Sequence, residues 1–345
     1  MIDYIIVGFG IAGASITAHL EREVKSVFVI DKNTDKASEV AAGIYNPVVL
    51  KRFTLAWQAE EQLNYAINFY EELGAKLKIS INEELAVLRK FNSAEEQNKW
   101  FSKIDQPELA KYLSPYLVTN STDAIEAPFK YGQVMHTGRI LIKKLLKEYS
   151  EILLKKQNYK VEDFDFSKFN IADNYVEYKG VQAKRIIFCE GYQLKNNPFF
   201  KDLPLIGNKG SYLIIKCEKL RLKQALKSHF FLVPLGNDMY KFGATYEHHI
   251  KTDNYKEESR KQLIEKLNEL INVPYKIMDQ ISGIRPTVKD RRPLVGQHKI
   301  YENLYLLNGM GTRGVMIAPT ASKHLVNFLE KNVSLPKEID CSRFY

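Results

Sequence analysis

Cysteine is scarce: Cys189, Cys217 and Cys341 are the only three, far apart and in no metal-type spacing, which excludes a thiolate metal site and a disulfide framework. Reduced thiols in a cytoplasmic protein are the expectation, and the Asn120-Ser-Thr122 sequon then carries no weight. No apolar run reaches the roughly 20 residues that cross a bilayer. The first strand-like run starts two residues after Met1, so there is no room for a targeting peptide and the chain is expected to stay in the cytoplasm. Internal repeats and low-complexity segments are absent as well. Acidic charge is outnumbered, with 41 Asp and Glu against 50 Lys and Arg, a net charge of +9. That excess suits an anionic cofactor, an anionic substrate or nucleic acid, and selects none of them. The lysines are spread along the chain, in short groups such as Lys143-Lys144 and Lys155-Lys156 on amphipathic segments, which reads as solvated helix faces and not a nucleic-acid groove.

What is present begins at the amino end. An apolar run, Asp3 to Val7, ends in Gly8-Phe-Gly10-Ile-Ala-Gly13; a helical pattern follows to Glu23, then a second apolar run, Ser26 to Ile30, closing on Asp31. Glycines alone are weak evidence. Here they close a strand and open a helix, and an acid ends the next strand, the context a dinucleotide-binding turn requires. Gly8 would permit the tight turn, Gly10 the approach of a pyrophosphate, and Gly13 the close packing of helix on strand. The helix start would offer free N–H groups and a positive dipole end to phosphates, and Asp31 would accept ribose hydroxyls.

Further along, residues 41–47 form an irregular small-residue stretch suited to lie against a planar ligand. Thr54 to Leu73 reads as a helix stopped at Gly74, with strands near 76–81 and 84–89. Ser93-Ala-Glu-Glu96 is a capping-box signature, and Pro107 starts another helix. Tyr131 to Met135 reads as a strand returning to the opening domain, Thr137 as an N-cap, and Arg139 to Leu154 as an amphipathic helix. His136, at that junction, reads as structural in preference to a general base. Residues 184–191 form an apolar strand ending in Cys189-Glu-Gly191. From Asn208 to Thr245 the period becomes two, indicating an antiparallel sheet of different architecture. A charged helix, Lys256 to Ile271, follows, and then Gly283-Ile-Arg-Pro286, Asp290 to Gly296, the glycine loop Gly309-Met-Gly311-Thr-Arg-Gly314, and a helix from Ala318 to Glu330.

As a set, Gly8/Gly10/Gly13 with Asp31, Ala41-Ala-Gly43, Cys189-Glu-Gly191, Gly283-Ile-Arg-Pro286 with Asp290, Pro293 and Gly296, and Gly309 to Gly314 resemble the D-amino-acid oxidase superfamily of FAD-dependent oxidoreductases, closest to its glycine oxidase, sarcosine oxidase and tRNA-modifying branches. The resemblance spans residues 1 to about 330 and is weakest over about 75–130. It implies an α/β fold: a Rossmann-like FAD domain from residues 1–74, 131–208 and 281–345, carrying an α+β substrate domain with an antiparallel sheet from 75–130 and 209–280. Asp31 is shorter than the Glu usual in such families. Cofactor contacts are implied for Gly8, Gly10, Ile11, Ala12, Gly13, Asp31 and Lys32, for Ala42 and Gly43, and for Val161, Cys189 and Gly191. Near the carboxyl end they are implied for Arg285, Gly309, Gly311, Thr312, Arg313, Gly314 and Val315. No Cys or His stands where covalent-flavin members attach their cofactor, so FAD is expected to be dissociable, and no metal is implied.

Amine oxidation by a flavin needs the α-carbon oriented toward N5 and the charge developing at N1 and C2=O stabilised. The Gly309 to Gly314 loop and the helix after it suit the second task. Arg285 matches the carboxylate-binding arginine of glycine oxidase-like members, where a guanidinium holds a carboxylate by two parallel bonds. Arg313 resembles a second active-site arginine, whereas Arg291 and Arg292 read as surface or domain-contact residues. Lys241, in Tyr240-Lys-Phe-Gly243, resembles the lysine under the flavin of sarcosine oxidases. Buried, it would activate oxygen by its charge, but the strand reading favours an exposed side chain. Phe231 stands where glycine oxidases present a tyrosine to the substrate carboxylate, and Tyr246 at a position that is apolar there, so the resemblance does not extend to glycine itself as substrate.

The leading reading is an FAD-dependent oxidase or dehydrogenase acting on the C–N bond of a small amino or N-alkyl amino acid. The same chemistry on a tRNA wobble uridine is the alternative, favoured by the basic charge and disfavoured by the absence of a fused methyltransferase domain. A non-catalytic flavin-binding regulator and a nicotinamide enzyme are the remaining classes, the latter disfavoured by the carboxyl-terminal glycine loops.

Overall fold

The computed structural model describes residues 1–34, 36–247 and 255–345. Two eight-stranded sheets organise the chain. In the first, five strands run parallel in the order Tyr159–Val161, Val27–Asp31, Ile2–Val7, Val181–Phe188 and Leu304–Asn308. Their apolar runs are buried on both faces, as parallel strands under helices must be: Ile5, Ile6, Val29, Ile30, Ile186 and Ile187 are all at 0% exposure. The hairpin of Phe169–Ile171 and Val176–Tyr178 extends the sheet antiparallel to Val181–Phe188. The Ile11–Arg22 helix packs on Gly314–Lys331, which in turn packs on Ala59–Leu77, so the two chain ends share one layer.

The second sheet runs Lys276–Val288, Leu205–Lys216, Met239–Gly243, Phe231–Gly236, Ala225–Lys227, Val87–Lys90, Tyr131–Val134, Leu113–Val118. It is antiparallel except for one parallel pair, Ala225–Lys227 with Val87–Lys90. Ser93 caps the Ala94–Ile104 helix, its Oγ accepting the Glu96 N–H at 3.1 Å.

Several elements differ from the sequence expectation. Tyr131–Val134 joins the second sheet, not the first, because Gly132 lets the strand lie against the rings of Phe91 and Trp100. The first helical residue expected at 54 is instead a strand, Thr54–Leu55, paired with Val48–Val49; the helix starts at Ala59 and passes through Gly74. A Cβ there would lie 2.8 Å from the Ile79 carbonyl oxygen, so Gly74 admits the returning chain and does not stop the helix. Gly138–Ile140 forms a strand between Ile44–Tyr45 and Asn82–Glu84, which delays the next helix to Ile142. Thr137 is no cap: its hydroxyl accepts the Val87 N–H and donates to the Leu85 carbonyl.

No helix among the described residues is long and apolar enough to cross a membrane.

Candidate functional site

A cavity of about 840 Å³ lies between the first sheet and one face of the second. The amino-terminal glycine turn (Gly8, Gly10, Ile11, Ala12) and the carboxyl-terminal loop (Gly311, Thr312, Arg313, Gly314, Val315) both line it. Ala42, Gly43, Cys189 and Gly191 line it between them, and Lys209, Gly210, Tyr212, Phe231 and Arg285 line the face of the second sheet.

The amino-terminal turn is built by close approach. A Cβ on Gly13 would overlap the Gly8 carbonyl oxygen, and one on Gly8 would lie 2.6 Å from the Cys189 carbonyl oxygen. Gly13 itself is behind the lining, where it sets the helix on the strand. Ser38 Oγ accepts the Ile11 N–H at 3.0 Å, while the Gly10 and Ala12 amides have no protein acceptor among the described residues. Those free donors at a helix start form an anion cradle. Asp31 is buried and lines the cavity, but its carboxylate already takes the Phe9 N–H at 2.7 Å, the Tyr159 hydroxyl at 2.9 Å, the Asn33 N–H at 2.8 Å and Lys36 Nζ at 2.9 Å. A ribose would therefore meet an Asp31–Lys36 pair. Lys32 lines the same end.

Glu190 is the acid at the junction of this turn and the Val181–Phe188 strand. Burial pushes its carboxyl up to about 7, against a 2.7 Å bond from Asn197 that favours the charged form, and the charge of Asp163 adds to the rise.

At the opposite end, the amides of Gly311 and Arg313 bond within the protein, to the carbonyls of Pro286 and Met310, and those of Thr312, Gly314 and Val315 take no protein acceptor among the described residues. Gly309 lies off the lining; it packs at the turn, where a Cβ would sit 2.8 Å from Val288 Cγ2. Arg313 faces inward, and its guanidinium donates to the carbonyls of Asn46 and Val48. Burial alone pushes it down to about 10. Its visible work is to hold the 46–48 segment.

Arg285 is arranged differently. Its Nη1 donates to Asn208 Oδ1 at 2.8 Å and to the Thr245 carbonyl at 3.3 Å, its Nη2 has no acceptor among the described residues, and its guanidinium lies 5.6 Å from the Tyr246 ring centre. No carboxylate pairs with it among the described residues. One edge of the fork is tied down and the other is free, as a carboxylate clamp needs.

Two expectations are corrected here. Lys241 is buried, at 8% exposure, and does not line the cavity: its strand turns it onto the small-residue segment, where Nζ donates to the carbonyls of Val40 at 3.1 Å and Ala41 at 3.4 Å. Burial, with the charges of Arg139 and Lys143, pushes it down to about 8. Val161 is half exposed beside Asp31 and off the lining, which passes through Glu162 to Phe164 instead. His136 is exposed and away from the cavity, against the Tyr112 ring. Arg292 covers the Trp57 ring outside it. The sequence reading missed Ser38, Lys36, Asn208, Glu190, Lys51 and Lys227. For Asn208 the available signal was an amide in a strand position otherwise suited to an apolar side chain.

The cradle at one end, the free loop amides at the other and the single cavity of about 840 Å³ that both line fit an FAD molecule. A family model described as FAD dependent oxidoreductase matches residues 3–328. The uncharacterized oxidoreductase YurR of Bacillus subtilis (strain 168) is 24% identical over 95% of this chain and 95% of its own. The bifunctional tRNA 5-methylaminomethyl-2-thiouridine biosynthesis protein MnmC of Nitrosospira multiformis is 26% identical over 40% of this chain and 24% of its own. The crystal structure of glycine oxidase from Bacillus cereus ATCC 14579 superposes with a TM-score of 0.79, covering 97% of this chain and 96% of that one at 20% identity, a likeness of fold. The chain belongs to the FAD-dependent oxidoreductases of the D-amino-acid oxidase family.

Proposed function

We propose that the protein oxidises the C–N bond of a small amino acid or N-alkyl amino acid, with hydride passing from the α-carbon to flavin N5. The observation that carries this reading is Arg285, a cation with one guanidinium edge free, in the same cavity as both glycine loops. Bound there, FAD supplies the hydride acceptor.

The chain's own residues do the rest. Arg285 would hold the substrate carboxylate by paired hydrogen bonds, with Asn208 and Thr245 fixing the guanidinium and Tyr246 covering it. The free amides of Thr312, Gly314 and Val315, at the start of the Gly314–Lys331 helix, would oppose negative charge at the cofactor's pyrimidine edge. Arg313 would position the 46–48 wall. FAD would be held without a covalent bond: among the described residues no histidine lines the cavity, and the one lining cysteine, Cys189, sits at the Gly8 turn with its thiol pushed well up by burial. We read the two sheets as cofactor and substrate domains, with 131–134, 205–208 and 281–288 moved to the latter. Three free cysteines support a reducing, cytoplasmic setting.

The test is to load the purified protein with FAD and follow anaerobic bleaching of its visible spectrum with glycine, sarcosine, D-amino acids, proline and tRNA bearing the modified uridine. Bleaching by an amino acid supports the reading, whereas a colourless protein that refuses FAD ends it. A second reading, oxidation of a tRNA wobble-uridine side chain, is favoured by the partial match to the MnmC protein, and bleaching by tRNA alone would select it. A yellow protein that nothing bleaches would indicate a flavin-binding regulator.

A further inference from the structure

The ionisable side chains lining the cavity are not evenly distributed. Among the described residues every lining carboxylate, Asp31, Glu162, Asp163 and Glu190, sits at the Gly8 end on the first sheet's strand ends or just beyond them. The wall made by the second sheet and the 48–51 segment carries Lys51, Lys209, Lys227 and Arg285 and, among the described residues, no acid. Only Arg285 is needed for one carboxylate.

Lys227 is the informative member. It ends the Ala225–Lys227 strand opposite Phe231, and its Nζ lies 5.2 Å from the Phe231 ring centre while donating to the His229 carbonyl. One of its three protons is so committed, and no carboxylate pairs with Lys227 or Lys51 among the described residues. Burial and the charges of Arg89 and Lys51 push the Lys227 ammonium down to about 8, so a further cation is being held where its charge is disfavoured. A bound anion would relieve that cost.

The register sets the span. The Arg285 guanidinium lies over Gly210 on one strand, and Lys227 Nζ lies over Phe231 two strands away, with Gly243 between. Two strand spacings and the two-residue offset from Gly210 to Tyr212 put the backbone positions beneath the two cations, Gly210 and Phe231, roughly 12 Å apart, which sets the scale of the gap between the charges. From this we infer that the substrate is a dianion: an amino acid whose carboxylate meets Arg285 and whose side chain or N-substituent ends in a second carboxylate or a phosphate held by Lys227 and Lys51. This rests on the amino-acid reading above and adds the distal group to it. A substrate as short as glycine would leave Lys227 and Lys51 unused.

The test is calorimetric binding to the FAD-loaded protein of a series of diacids, succinate, adipate, suberate and sebacate, each beside the monoacid of the same chain length, with matched phosphate-ended monoacids to separate carboxylate from phosphate. Affinity should rise toward suberate or sebacate, about ten-fold or more over the monoacid, the effect of one charged hydrogen bond. Lys227→Gln should bring that ratio near one, and Lys227→Arg should restore it. A flat series, or a preference that survives Lys227→Gln, overturns the inference even if glycine or sarcosine bleaches the flavin. A clear diacid preference in a protein that no amino acid bleaches upholds the anion site and sinks the oxidation reading instead. Unmodified tRNA that displaces sebacate at lower concentration than any diacid would overturn the small-molecule assignment.

Discussion

The guanidinium of Arg285 rests on the backbone of Gly210: a Cβ at residue 210 would lie 2.5 Å from Arg285 Cζ. The glycine is there for the arginine. The two residues sit on neighbouring antiparallel strands, where Gly210 pairs with Gly283 and Arg285 with Asn208, so the side chain folds back along its own sheet into the cavity.

Gly210→Ala should therefore damage binding more than folding, because the displaced group is the far end of a long side chain. The Michaelis constant for a carboxylate substrate should rise about ten-fold or more with little change in melting temperature. Arg285→Ala should do the same by about 2–4 kcal/mol. An unchanged constant in both variants would mean the carboxylate is held elsewhere.

Arg313→Ala should show the reverse balance. It leaves the buried carbonyls of Asn46 and Val48 without their donor, so unfolding free energy should fall by about 2–4 kcal/mol, measured by denaturant titration.

Glu190 links pH to stability. Its carboxyl titrates near 7 in the folded chain and near 4.5 when unfolded, so the folded state binds the extra proton and stability falls as pH rises through that window. Glu190→Gln should raise the melting temperature at pH 8 and leave it nearly unchanged near pH 4, with a difference of at most about 3 kcal/mol.

Lys241 has the opposite sense. Its folded value near 8 lies below the unfolded 10.5, so the unfolded chain binds the extra proton and stability rises with pH between about 8 and 10.5. Lys241→Met should abolish that rise. Because Nζ holds the Val40 and Ala41 carbonyls, the variant should also loosen the 40–43 segment, read as weaker FAD retention.

Cofactor chemistry was legible early because it is local. Strand, glycine turn, helix and terminal acid lie within the first 31 residues, and the steric demand on Gly13 comes from Gly8, a near neighbour in sequence, although that on Gly8 comes from the distant Cys189 carbonyl. The period-two strands from Leu205 to Gly243 were legible for the same reason: alternation reports one buried face.

What remained hidden depends on neighbours distant in sequence. Tyr131–Val134 has no local mark of which sheet it joins; Phe91 and Trp100, packed against Gly132, settle that. Lys241 alternates like an exposed strand residue, yet the Val40–Ala41 carbonyls, two hundred positions earlier, draw it inside. The sequence by itself determined a dinucleotide turn, a second sheet and an arginine in a glycine-flanked strand. Only the tertiary structure decided which charges face the cavity, because a side chain's partner across a sheet is set by register and not by its position along the chain.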